Sequence, residues 1–79
     1  MPNTNNMDKT IDEIISENLK REIETSGKSK TEIARAIGVS RPTISQYLSG
    51  RIQPTLATLS KLCNFLDCSA DDILNVKRL

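Results

Sequence analysis

Residues Lys30–Ser49, KTEIARAIGVSRPTISQYLS, read as two short amphipathic helices joined by a tight turn. In the first, Ile33, Ala34 and Ile37 fall on one face, and in the second Ile44, Tyr47 and Leu48 do, each set following helical i, i+3, i+4 spacing. Gly38 lies between them, where a tight helix-to-helix turn commonly needs positive φ, and Val39 then drops an apolar side chain between the helices. Ala34 sits at their crossing, which a larger side chain would pry apart. Such a pair presents its second helix to something outside the domain.

Outward from this core stretch, each helix start is marked by a cap. Thr10 with Glu13 and Ser29 with Glu32 spell capping boxes; Ser40, Thr55 and Ser69 open three further helices, with Asp72 giving the last a shorter-armed box. The spacing predicts helices over Ile11–Ser26, Lys30–Ile37, Arg41–Leu48, Leu56–Leu66 and Ala70–Val76. Ile11, Ile14, Ile15, Leu19 and Ile23 line the first for packing, and Leu56, Leu59, Leu62 and Leu66 line the fourth. Residues 1–9 contain Pro2, three Asn and no apolar period, so they read as a tail before a single domain at 10–79. The expected class is all-α, with five helices around one aliphatic core.

Composition restricts the function. With 79 residues and only Tyr47 and Phe65 as aromatics, the core must be Ile, Leu, Val and Ala, and stability is expected to be marginal or helped by a second subunit. No apolar run reaches membrane-span length and no signal peptide precedes Thr10, so a cytoplasmic location is expected. Cys63 and Cys68 lie five residues apart in a chain without histidine, which argues against a zinc site and for two small core thiols. Enzyme chemistry is not expected: the carboxylates occupy caps or solvent faces, and no base stands beside a nucleophile.

The helix-turn-helix stretch resembles that of the Xre family, the DNA-binding domain shared by lambda-type phage repressors, Cro proteins and many bacterial regulators. The likeness runs from Leu19 through Val76, including the Gly27 stop, the Ser49-Gly50-Arg51 loop, Pro54 and the two helices beyond it. It implies a lambda-repressor-like fold that places the third helix in the major groove of DNA. The chain departs from the family pattern at Lys30, where a glutamine is common, at Pro42, where a polar residue is common, and at Asp67, where glycine often ends the helix. Asp67 is therefore expected to carry a small local strain.

Net charge is only +1, yet it is segregated. Between Lys28 and Arg51, Lys28, Lys30, Arg35, Arg41 and Arg51 face Glu32 alone, while residues 1–27 are net acidic and residues 52–79 balance. Positive charge thus coincides with the presented helix, as a phosphate-facing surface requires. The expected base-reading residues are Arg41, Pro42, Thr43, Ser45 and Gln46. Gln46 can both donate and accept at an adenine edge; Arg41 is equally suited to guanine or a phosphate, and Pro42 to a thymine methyl. Ser29, Lys30, Thr31, Ser40, Ser49 and Arg51 are the expected phosphate contacts, aided by the free amides at a helix start. Arg35 reads as a solvated charge or the partner of an acidic neighbour more readily than as a DNA contact.

The reading is a sequence-specific regulator, a repressor, needing no cofactor, metal or small-molecule ligand. Ile73, Leu74, Val76 and Leu79 are more apolar residues than a terminal helix of an 8.8 kDa domain easily buries, so they are the expected homodimer interface. Such a dimer calls for an inverted-repeat operator in double-stranded DNA. The competing reading is an adapter that docks a protein on the same helix, but its outward face lacks the apolar anchors of a docking helix.

Overall fold

The computed structural model describes residues 9–76. Five helices follow in order, α1 (Ile11–Ser26), α2 (Lys30–Ile37), α3 (Arg41–Ser49), α4 (Leu56–Leu66) and α5 (Ala70–Leu74), with no strand among the described residues. The tail expected at residues 1–9 lies outside them except Lys9, whose ammonium pairs with the Glu17 carboxylate at 2.8 Å. Leu79 also lies outside.

Local chemistry explains where the helices begin. The Thr10 hydroxyl accepts the Glu13 N–H at 3.1 Å while the Glu13 carboxylate accepts the Thr10 N–H at 3.0 Å. Ser29 and Glu32 repeat this box with both bonds at 3.0 Å. Ser40 and Thr55 cap α3 and α4 by accepting from the third helical amide, Thr43 and Thr58. At α5 the Ser69 hydroxyl instead accepts from Asp71, while the Asp72 amide bonds the Ser69 carbonyl at 3.1 Å. The expected Asp72 box is thus replaced by a cap one residue earlier.

Two helix ends differ from the expectation. The α3 helix runs one residue further, to Ser49, before Gly50 turns the chain at φ 78°. The α5 helix stops at Leu74, two residues early, because Asn75 adopts the left-handed conformation at φ 60°, which Asn tolerates better than most residues. Asp67 ends α4 at φ 55° and sends its N–H to the Cys63 carbonyl, the left-handed geometry expected there.

Each helix contributes one fully buried aliphatic side chain: Leu19, Ile33, Ile44, Leu62 and Ile73. Around them α2 packs on α3 and α4, while α1 packs on α3, α4 and α5. Each buried aliphatic of this size is worth about 1.5–3 kcal/mol, so the five together dominate folding of so small a domain. The Asn18 side-chain amide adds a tie by donating to the Ile73 carbonyl at 3.2 Å.

Ile11 and Leu56, expected in the core, are 52% and 82% exposed. Both are the first residue of a helix, and a helical Cβ tilts toward the N-terminus, so these side chains project past the edge of the packed layer. Ile14 and Ile15 are half-buried, and the buried stripe of α1 is Ser16, Leu19 and Ile23. Cys63 is buried and Cys68 half-buried, both as free thiols. Burial pushes both thiols up, Cys68 to about 12, so they remain protonated. No described helix is long and apolar enough to cross a membrane.

Candidate nucleic-acid interface

The α3 helix turns Ile44 and Tyr47 into the core and leaves Arg41, Pro42, Ser45 and Gln46 on the exposed side. Thr43 is half-buried, with its hydroxyl 2.8 Å from that of Ser40. Pro42 is accommodated in the first turn, where an intrahelical N–H is not needed. Among the described residues neither the Gln46 side-chain amide nor the Arg41 guanidinium has a protein partner. Gln46 therefore keeps both its donor and its acceptor available.

The serines expected at phosphates are already engaged. Ser40 caps Thr43; Ser49 donates to the Gln46 carbonyl at 3.1 Å and accepts from the Arg51 N–H at 3.4 Å. Ser29 spends its hydroxyl oxygen on Glu32 and its amide on the Glu32 carboxylate. What the start of α2 still offers is the amides of Lys30 and Thr31, which have no protein acceptor among the described residues. Together with the helix dipole they form an anion-favouring end.

The electrostatics are uneven in the same sense. Among the described residues both ion pairs involve α1 carboxylates, Lys9 with Glu17 and Arg21 with Glu22. The cations from Lys28 to Arg51 have no carboxylate partner there, Arg35 included. Glu32, the one acid among them, is held below the ordinary carboxylate range by the Ser29 backbone N–H and hydroxyl, so it stays ionised and committed to its cap. Lys28 sits 5.3 Å over the Phe65 ring of α4, a cation–π contact.

Packing creates contacts that periodicity did not signal. The Lys30 ammonium donates to the Ser45 hydroxyl at 3.2 Å, tying the start of α2 to the outward face of α3. Sequence spacing assigns each helix a face but not the rotation between helices, and this bond depends on that rotation. Likewise Gln53 in the α3–α4 loop donates to Asp12 of α1 at 2.7 Å, a link invisible across 41 residues.

The expected interface residues of α5 separate. Ile73 is fully buried in the core and has no surface to give a partner, which removes it from the expected dimer face. Leu74 is half-buried, and Val76 is 55% exposed. Leu74 shares a shallow groove of about 80 Å³ with Ile15, Leu19, Gln53, Pro54, Leu56, Leu59 and Ile73.

Comparison with known proteins places this geometry. A helix-turn-helix family model matches residues 19–73. The chain is 34% identical over 61 residues to the SPbeta prophage-derived uncharacterized HTH-type transcriptional regulator YonR of Bacillus subtilis (strain 168), covering 77% of this chain and 56% of that relative. It thus spans little more than half the relative's length. The solution structure of the SOS-response transcriptional repressor LexA from Eubacterium rectale superposes with a TM-score of 0.78 at 31% identity, over 90% of this chain and 76% of that one. With the family model matching residues 19–73, well over half of its length, the chain belongs to the Xre/lambda-type helix-turn-helix family.

Proposed function

We propose that this protein binds double-stranded DNA sequence-specifically as a transcriptional repressor, with α3 in the major groove. The observation that carries the proposal is the outward row Arg41, Pro42, Ser45 and Gln46, polar and exposed, on a helix whose apolar side is buried. Gln46 reads an adenine edge; Arg41 addresses guanine or a flanking phosphate. Lys30, Arg51 and the open amides of Lys30 and Thr31 take the backbone on either side and fix the register. Cations without a carboxylate partner displace counterions from the phosphates on binding, so affinity falls steeply with salt.

The protein acts as a homodimer through the α5 end, using Leu74, Val76 and Leu79, with Leu56 joining Leu74 across their groove. A two-fold pair sets recognition helices about 34 Å apart, matching half-sites about 10–10.5 bp between centres. Selection from random duplexes tests the reading directly. An enriched inverted repeat is the expected result. Retention of all sequences alike would overturn it and leave α3 as a docking helix for a protein partner.

A further inference from the structure

The bond between Lys30 and Ser45 does more than join two helices. An ammonium has three donors and no acceptor, so the Ser45 oxygen must accept, and its own proton is left to donate. Among the described residues that proton has no acceptor. A mid-helix serine commonly turns its proton back to the carbonyl one turn earlier, but here the hydroxyl sits on the exposed face with a cation 3.2 Å from its oxygen.

We propose that Lys30 fixes the hydrogen-bond polarity of Ser45, making it a donor that selects an acceptor edge on DNA. This rests on the DNA-binding reading above and adds a specificity-determining role that neither residue has alone. A base atom about 3 Å from the Ser45 oxygen lies within a few ångströms of the ammonium as well. At that distance the positive charge attracts guanine O6 and N7 or thymine O4 and repels the exocyclic amines of cytosine and adenine. A serine without such a neighbour accepts or donates to either kind of edge, and so discriminates poorly. Lys30 is here a positioning residue for Ser45, in addition to any phosphate it meets.

The consequence separates Lys30 from the other cations. A lysine acting only on phosphate weakens every sequence alike; a lysine that polarises Ser45 alters preference at one base pair.

The test is a random-duplex selection on the full chain carrying Lys30→Met, Ser45→Ala, Lys30→Arg or both of the first two changes, each checked for wild-type helicity by circular dichroism. Lys30→Met keeps the apolar stem and loses the donor. Lys30→Met and Ser45→Ala are expected to flatten the same position of the selected site, reducing its preference about two- to tenfold, as one hydrogen bond allows. The double variant is expected to flatten it no further, and Lys30→Arg to retain the preference. A Lys30→Met profile identical to wild type at every position, with only uniformly weaker binding, overturns the proposal while leaving the DNA reading intact. A wild-type protein that selects no site overturns the DNA reading itself.

Discussion

Gly50 stands directly over Ser16: a Cβ built on the glycine would come within 3.3 Å of the Ser16 hydroxyl oxygen and 3.6 Å of its Cβ. Among the described residues Ser16 is the one buried polar side chain, satisfied by donating to the Glu13 carbonyl at 3.0 Å. The turn after α3 therefore needs glycine twice over, for its φ of 78° and for its approach to α1. Gly38 shares the φ but has open space where a Cβ would go. Gly38→Ala is expected to cost about 1 kcal/mol for the left-handed backbone alone, and Gly50→Ala about 1–2 kcal/mol. The difference should narrow in a Ser16→Ala background, where the close oxygen is gone. Urea unfolding of the four variants measures this, and equal costs at the two glycines would show the Ser16 contact to be irrelevant.

How much of this was legible in the sequence depends on how local each feature is. Helix starts were readable because an N-cap and its partner lie within three residues, as at Thr10 and Ser29. Ends were harder. Asn75 stops α5 through a backbone choice that Val76, with its fitting apolar period, masked. Ile11 and Leu56 kept the period of their stripes, yet a period does not reveal where the packed layer ends. The outward face of α3 followed from its inward one, but the Lys30–Ser45 bond, between residues 15 apart on two helices, arises only when the helices are placed in three dimensions.

Gln46 is the sharpest single probe of recognition. Its side-chain amide is exposed and unpartnered among the described residues, so truncation leaves no buried group stranded and folding stability should be unchanged. Gln46→Ala is expected to cost about 1–3 kcal/mol on the selected duplex and to relax preference at one base pair. Binding isotherms on duplexes varied at each position measure it. A uniform loss over all positions would assign Gln46 to the backbone instead.

The two capping boxes make stability sensitive to acid. Backbone and hydroxyl bonds from Thr10 and Ser29 hold the Glu13 and Glu32 carboxyls below their ordinary value of 4.5. A carboxyl depressed in the folded state adds stability that is fully present above its unfolded pKa and is lost as pH falls through the folded one. Stability should therefore decline below about pH 4.5. Glutamine preserves the accepting oxygen of the box but does not titrate, so the Glu13→Gln, Glu32→Gln double variant should show a shallower acid limb. Thermal melts between about pH 2.5 and 7 decide this; an acid limb as steep as wild type would place the titrating groups elsewhere.

The dimer proposal turns on apolar residues that the monomer leaves exposed. Leu56 is 82% and Val76 55% exposed, while Leu74 lies half-buried in the groove it shares with Leu56. A few aliphatic side chains per subunit bury far less than a standard interface of about 800 Å² per partner, so the free dimer should be weak and DNA should complete it by holding two copies on adjacent half-sites. Leu56→Asp and Val76→Asp change exposed positions outside the fully buried set, and the monomer should keep its helicity. Ile73→Asp, by contrast, would place a carboxylate in the core and unfold the domain, which makes it useless as an interface probe. On an inverted-repeat duplex the wild type should bind as two copies with a symmetric footprint, and Leu56→Asp with Val76→Asp should lose cooperativity between half-sites while affinity for an isolated half-site persists. Sedimentation of the complexes alongside footprinting gives the stoichiometry. One wild-type copy per duplex, with an asymmetric footprint over a single half-site, would sink the two-fold arrangement.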